Sequence, residues 1–419
     1  MKSTLALALL LLTTTAVMGE YAQTKFYKAG FDQTPKIAID TSTDKLFDGA
    51  LANTLFYSAD DSAGTLYAWN VNWDIDSNSS TSIIKRTLDA STLKAKGDDI
   101  TLNLKIKSKM GLIGQPALGY IAFPAIRDSG KGTADQLYLS ILPASATKAT
   151  DLIDVKIASN KDTTTGMYVN SIWFTDDYYW IMYTQFDMKK GYEQALYLQA
   201  IKTDGTLMYD APIKVASLNN PPGTTIPIAG PNKDSNPTMI YVVYKDFDSK
   251  ATVQTTVKIS NGNVDEPTKL VGDSETQMYF PDGVISASKV FGVVLNRQQM
   301  VRQQFSEDLR VYYNGATSKP SILDLDAPEG YQNPIIQSFP HPNGFVILGQ
   351  FTGEKDAVIV IKIFNADGTE NVAQKTIANT QGAMLFFQDA AGNLWLGYND
   401  FDMADGKVAK GYLGKLISA

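Results

Sequence analysis

Apolar positions along this chain fall in short runs broken by polar and glycine-containing turns, and the three-and-four spacing of an amphipathic helix is sustained nowhere after the N-terminal segment. The pattern therefore predicts strands and almost no helix. One run recurs as an octet. Residues 395–402 (WLGYNDFD) have close relatives at 180–187 (WIMYTQFD) and 241–248 (YVVYKDFD), and looser ones at 67–74 (YAWNVNWD) and 345–352 (FVILGQFT). Degenerate copies stand at 120–127 (YIAFPAIR) and 291–298 (FGVVLNRQ). Their first residues, Tyr67, Tyr120, Trp180, Tyr241, Phe291, Phe345 and Trp395, are separated by 53, 60, 61, 50, 54 and 50 residues. A strand-built repeat of that length is the mark of a propeller or a related array.

Each repeat parses as four strands, A to D, with the octet in strand B. In the third repeat these are 167–174, 178–186, 193–202 and 211–216. Asp204-Gly205 joins C to D there and Asp367-Gly368 does so in the sixth, both hairpin signals because glycine accepts positive φ. Strand B hardly alternates, as in 239–244 (MIYVVY), which is how a strand reads when both faces of its sheet are covered. Blades packed face to face around an axis provide that cover. The last repeat stops at Leu416-Ile417 after three strands, while 34–40 (TPKIAID) follows Phe31-Asp32 much as 211–217 (APIKVAS) follows Tyr209-Asp210. The expectation is an all-β, seven-bladed β-propeller of four-stranded antiparallel blades, its ring closed by the N-terminal strand at 34–40. The blades fall at about 46–107, 110–158, 166–217, 224–271, 276–326, 332–378 and 382–418 plus 34–40. The repeat carries no WD40, kelch or sialidase signature, and its spacing runs unbroken through the loops, so residues 20–419 read as one domain.

The N-terminal segment reads as an address. Lys2, the apolar run 5–12 (LALALLLL) and the small-residue site at Val17-Met18-Gly19 predict a signal peptide over 1–19 and a secreted protein, periplasmic if the source is a Gram-negative bacterium. That run is too short for a bilayer, and none later is longer, so no membrane insertion is expected. The chain has no cysteine, so export proceeds without disulfides and the fold must rest on burial. A net charge of −7 with only five arginines argues against nucleic-acid binding, which requires phosphate neutralisation.

Four octets end in aspartate, at Asp74, Asp187, Asp248 and Asp402. Strand B runs into the B–C turn, so these residues are expected on the face that carries the B–C and D–A loops. No cofactor is required, and calcium is the one left open, with the four aspartates as its ligands. A polar, sugar-like ligand would use the same oxygens beside Trp73, Phe186, Phe247 and Phe401. A competing and weightier reading makes each Asp a turn former that accepts a bond from its own backbone two residues on. Arg127 and Arg297 depart from the repeat at the octet's end and offer a planar fork for an anion, against an ordinary ion pair with a nearby Asp. His341 is the only histidine, in a tight A–B turn, which removes His-dependent triads and zinc clusters of ordinary composition. The reading that follows is a non-catalytic binding or scaffold protein that recognises an extracellular protein or glycan through the B–C/D–A face. The alternatives are a hydrolase of carbohydrates using paired carboxylates on that face, and an extracellular protein that assembles with itself.

Overall fold

The structure is a computed structural model. It describes residues 37–40, 55–60, 64–74, 79–109, 114–128, 134–175, 177–190, 193–218, 228–231, 238–246, 251–272, 278–285, 291–301, 304–312, 321–323, 332–341, 344–352, 357–365, 370–379, 382–389, 393–401 and 408–417. Among these residues the chain forms seven four-stranded sheets, all paired antiparallel, in chain order. Sheet one holds Leu55–Ala59, Thr65–Asp74, Ser79–Asp89 and Ile100–Leu102. Sheet two holds Gln115–Ala117, Tyr120–Asp128, Asp135–Pro143 and Ile153–Ser159. Sheet three holds Thr165–Thr175, Tyr178–Asp187, Glu193–Lys202 and Ile213–Leu218. Sheets four, five and six begin at Ile228, Met278 and Gln332 and repeat the same A-B-C-D order. Sheet seven takes Gly382–Gln388, Leu394–Phe401 and Val408–Ile417 from the C-terminus and its fourth strand, Ile37–Asp40, from the N-terminus, with Ile37 opposite Leu413 and Asp40 opposite Lys410. Helix among the described residues is limited to two 3-10 turns, Ala149–Asp151 and Met188–Lys190. No helix among them is long and apolar enough to cross a membrane.

Strand A of each sheet lies beside strand A of the next from sheet one to sheet six, and strand A of sheet one also lies beside that of sheet seven. The cores follow the same order. One runs from Ile359, Ile361 and Ile363 of sheet six through Phe387, Trp395 and Leu413 of sheet seven into Leu55, Tyr57 and Trp69 of sheet one, and on to Ile121 and Phe123 of sheet two. A second lies between sheets two and three and a third between three and four. Strand B of sheet three shows why the octet does not alternate. Trp180 and Met182 enter the core shared with sheet four, while Ile181 and Tyr183 enter the one shared with sheet two. This inner strand has two apolar faces because its sheet has two neighbours.

Lys85 ties sheets one and two together from inside. It is 3% exposed on strand C of sheet one, and its ammonium donates to the carbonyl oxygens of Ala144 and Ala146, the latter at 3.1 Å, in the turn after strand C of sheet two. The rings of Tyr67 and Trp69 lie 5.8 and 5.9 Å from Nζ, a cation–π environment. Burial lowers its pKa below the ordinary lysine value, since the charged form is the one desolvation penalises. Lys85→Met is expected to lower stability by about 1–2 kcal/mol, because two buried carbonyls lose their donor. Lysine is charged at low pH in both the folded and the unfolded chain, so there the penalty is fully present. It is relieved as pH rises through the lowered folded pKa toward the unfolded value near 10.5. Wild type should therefore gain stability relative to the Met variant over that alkaline interval. Paired urea titrations from neutral pH upward measure both effects, and a flat difference would contradict the buried-charge account.

The outer strands of sheets two and three carry exposed lysines, Lys156 and Lys214, of the kind that discourages edge-to-edge pairing with another chain.

Candidate ligand cleft on the octet face

The end of the octet in sheet three, where it meets the connection from sheet two, encloses a cleft of about 440 Å³. Strand B contributes Gln185, Phe186 and Asp187, and strand C, which begins directly opposite, contributes Glu193, Gln194 and Ala195. Lys214 and Ser217 come from strand D, while Asn160, Lys161 and Thr165 come from the connection and the start of strand A. At this end of the sheet the strand ends that flank the B–C turn and the D–A connection thus supply side chains to one cavity.

Those side chains are held before any ligand arrives. Gln185 Nε2 donates to the Ser159 carbonyl at 3.3 Å and to Asn160 Oδ1 at 3.2 Å, and Asn160 Nδ2 donates to the Thr165 carbonyl at 2.9 Å. The connection is further fixed by Asp162, whose Oδ1 accepts from the Thr164 hydroxyl and backbone N–H at 2.6 and 2.8 Å. These bonds, the hydroxyl's first, hold the Asp162 carboxyl below the usual carboxylate range. Tyr168 donates its hydroxyl to Gln194 Oε1 at 2.9 Å. Phe186 lies over Gly166, where a Cβ would fall within the ring's van der Waals surface, and its ring is 6.1 Å from that of Tyr168, tilted by 43°. Glycine at 166 is therefore what lets the Phe186 ring lie flat on the strand beneath it.

Asp187 has the geometry of a turn former. Its Oδ1 accepts the Lys189 N–H at 2.9 Å, two residues on, and among the described residues no three His, Cys, Asp or Glu side chains gather as a metal group. Asp187→Ala should lower stability by about 1 kcal/mol through loss of that bond. Thermal unfolding in EDTA and in calcium should show the same loss. A loss seen only in calcium would make Asp187 a metal ligand.

Arg127 stands apart from the cleft. Its guanidinium meets Asp154 of the same sheet through Nη1 at 2.6 Å and Nη2 at 2.7 Å, Nη2 also reaches Ser140 Oγ at 3.0 Å, and the group stacks 4.3 Å above the Tyr138 ring. Ser140 in turn donates to Asp154 at 2.7 Å. The planar fork is thus occupied by a carboxylate from strand D, inside one sheet. Arg297 lies within Phe291–Val301, opposite Met278 and Asp308, and strand B continues four residues beyond it instead of ending at the octet. The expectation that it marks a strand end is corrected accordingly. Trp73 and Asp74 are the last residues of strand B in sheet one, Phe401 is the last in sheet seven, and His341 ends strand A of sheet six. Phe247, Asp248 and Asp402 lie outside the described residues. Of the predicted site residues, the structure brings Phe186 and Asp187 together.

The residues that sequence reasoning passed over are Lys161, Glu193, Gln194 and Lys214. None is part of the octet. Lys214 had a signal, a charged residue at an exposed position of an outer strand, but that signal reads equally as edge protection.

No protein-family model matches the sequence, and no curated protein does. Solved structures do resemble the fold. The chain is similar to the polysaccharide lyase Uly1, with a TM-score of 0.52 and 9% identity, covering 97% of this chain and 98% of that one. The fold is a β-propeller. Weaker likenesses are to prolyl oligopeptidase B from Galerina marginata (TM-score 0.43, 10% identity, 86% of this chain and 48% of that one) and to the β-propeller domain of the Trilobed protease from Pyrococcus furiosus (0.42, 10%, 83% and 91%). This chain spans about half the length of the oligopeptidase. At such identities the likeness concerns fold alone.

Proposed function

We propose that the chain is a secreted, single-domain, seven-bladed propeller, closed by its N-terminal strand, that binds an extracellular protein or glycan through its octet face without chemically altering it. One observation carries the binding role: the cleft of about 440 Å³ at the sheet two to sheet three junction, in whose lining Gln185 and Asn160 are already held by internal hydrogen bonds. A concavity of this size lies within the usual range for a ligand site, and polar groups fixed beforehand have less freedom to lose on binding. The closed ring is supported by the pairing of Ile37–Asp40 with the C-terminal strand and by the core that joins sheets six, seven, one and two. The apolar run at 5–12 with the small-residue site at 17–19 is the sequence pattern that supports export.

A second reading, hydrolysis of carbohydrates by paired carboxylates, is favoured by the position of Asp187 opposite Glu193, both lining the cleft. Against it, one oxygen of Asp187 is committed to its own turn. The two readings separate in a single assay. The mature chain is incubated with glycans and with candidate extracellular proteins, and thermal unfolding and product formation are followed together. A binder unfolds later by about 2.7 kcal/mol at a hundredfold excess of ligand over Kd and leaves the ligand intact. Turnover that disappears in Asp187→Asn or Glu193→Gln would replace the binding role with catalysis.

A further inference from the structure

Resting on that reading of the octet face, we propose that the cleft's ligand is a neutral saccharide, with one sugar ring stacked on Phe186 and its hydroxyls shared among the surrounding polar side chains. Charge is the first constraint on the ligand. Two cations, Lys161 and Lys214, line the cleft against two carboxylates, Asp187 and Glu193. A site selecting an ion carries an excess of the opposite sign. Among the described lining residues these four charges cancel, which favours neither an anionic nor a cationic ligand.

The second step is the kind of bonding on offer. The lining combines cationic donors, carboxylate acceptors, and amides and hydroxyls that do both. A ligand that meets such a mixture needs groups that donate and accept at short spacing over its whole length. Saccharide hydroxyls do so. A peptide segment brings apolar side chains that need apolar pockets, and among the described lining residues the apolar side chains are Phe186 and Ala195.

The third step is rigidity. Gln185 has its amide hydrogens on Ser159 and Asn160, Asp187 has one oxygen on its own turn, and Gln194 is only 4% exposed and holds the Tyr168 hydroxyl. Gln185 Oε1 and Asp187 Oδ2 are thereby placed as acceptors with little rotamer freedom left to lose on binding. Phe186, half-buried over Gly166, lines the cleft with an aromatic ring, the side-chain type that packs against the C–H side of a sugar.

The test uses the mature chain and calorimetric titration with hexamers of glucose, mannose and xylose, with hexagalacturonate and with the chitosan hexamer, each at low and high salt. Phe186→Leu and Glu193→Gln are titrated alongside wild type, with circular dichroism to confirm the fold. Glu193→Gln changes an exposed position and guards against a folding failure in the Leu variant. The expected result is binding of a neutral hexamer with an affinity that salt leaves unchanged, weakened about tenfold by Phe186→Leu and less by Glu193→Gln. Binding of hexagalacturonate or chitosan in preference to every neutral hexamer would overturn the proposal. So would neutral binding that neither substitution changes, or no saccharide binding at all. A protein ligand lost in both variants would leave the octet-face reading standing and remove the saccharide. Ligand binding of any class that ignores every octet-face substitution would remove both.

Discussion

Replacing Trp180 with alanine is expected to lower the free energy of unfolding by about 3–5 kcal/mol, the range for emptying a large aromatic site in a well-packed core. Trp180 opens the octet of sheet three and is 1% exposed. Its ring is stacked on Trp173 at 6.1 Å with 9° between planes and meets the edge of Tyr209 at 6.4 Å. Tyr209 is held by a hydrogen bond from its hydroxyl to the Ile259 carbonyl of the neighbouring repeat at 2.8 Å, and burial pushes that hydroxyl's pKa up to about 12. Truncation therefore opens a cavity at the contact between sheets three and four, where the surrounding strands have little freedom to collapse. The neighbouring Trp173→Phe provides the control. The Trp173 indole nitrogen is buried without a hydrogen-bond partner, so its removal offsets part of the smaller cavity that Phe leaves, and the loss should be about 1 kcal/mol, well below that of Trp180→Ala. Urea unfolding of both variants checks the pair, and equal losses would mean that the stacked aromatics are not the determinant.

Gly397→Val is expected to lower stability by about 2–3 kcal/mol, from overpacking. Gly397 lies in strand B of sheet seven against Tyr57, which belongs to strand A of sheet one and is wholly buried. A Cβ at Gly397 would come within 2.7 Å of Tyr57 Cε2 and nearer still to Cδ2. The ring has no route to solvent, so the strain falls on the junction between the last sheet and the first. Shortening the opposing side chain with Tyr57→Leu in the Gly397→Val background should recover about 1 kcal/mol beyond additivity, since the two residues share one contact. A Val variant as stable as wild type would mean that sheets seven and one do not pack together, and closure of the ring would fail with it.

The strand content and the octet repeat could be read from sequence because every sheet faces the same physical problem. A strand B between two neighbours must be apolar on both sides, and Trp180, Ile181, Met182 and Tyr183 satisfy that in alternation toward two cores. The pairing of the N-terminal strand with the last sheet was legible for a similar reason: three C-terminal strands left one edge open, and 34–40 carried the pattern of a fourth. The cleft was legible only in part. Phe186 and Asp187 belong to the repeat, whereas Lys161, Glu193 and Lys214 occupy positions that no repeat constrains, and the register of sheet three together with the connection leading into it brings them together. Arg127 shows the same limit. Its deviation from the repeat was visible, but its partner Asp154 lies 27 residues on, across strand C, where only strand pairing brings the two into contact. Lys85 gave no signal at all, since a lysine in a strand ordinarily faces solvent.

The most direct test of the cleft as the functional site is a crystal structure of the mature chain grown with the neutral hexasaccharide that binds it most tightly. The account predicts a sugar ring against Phe186, with hydroxyls within hydrogen-bond distance of Gln185, Asp187 and Glu193. A saccharide seated on the opposite face, or on the octet face away from Phe186, would contradict it.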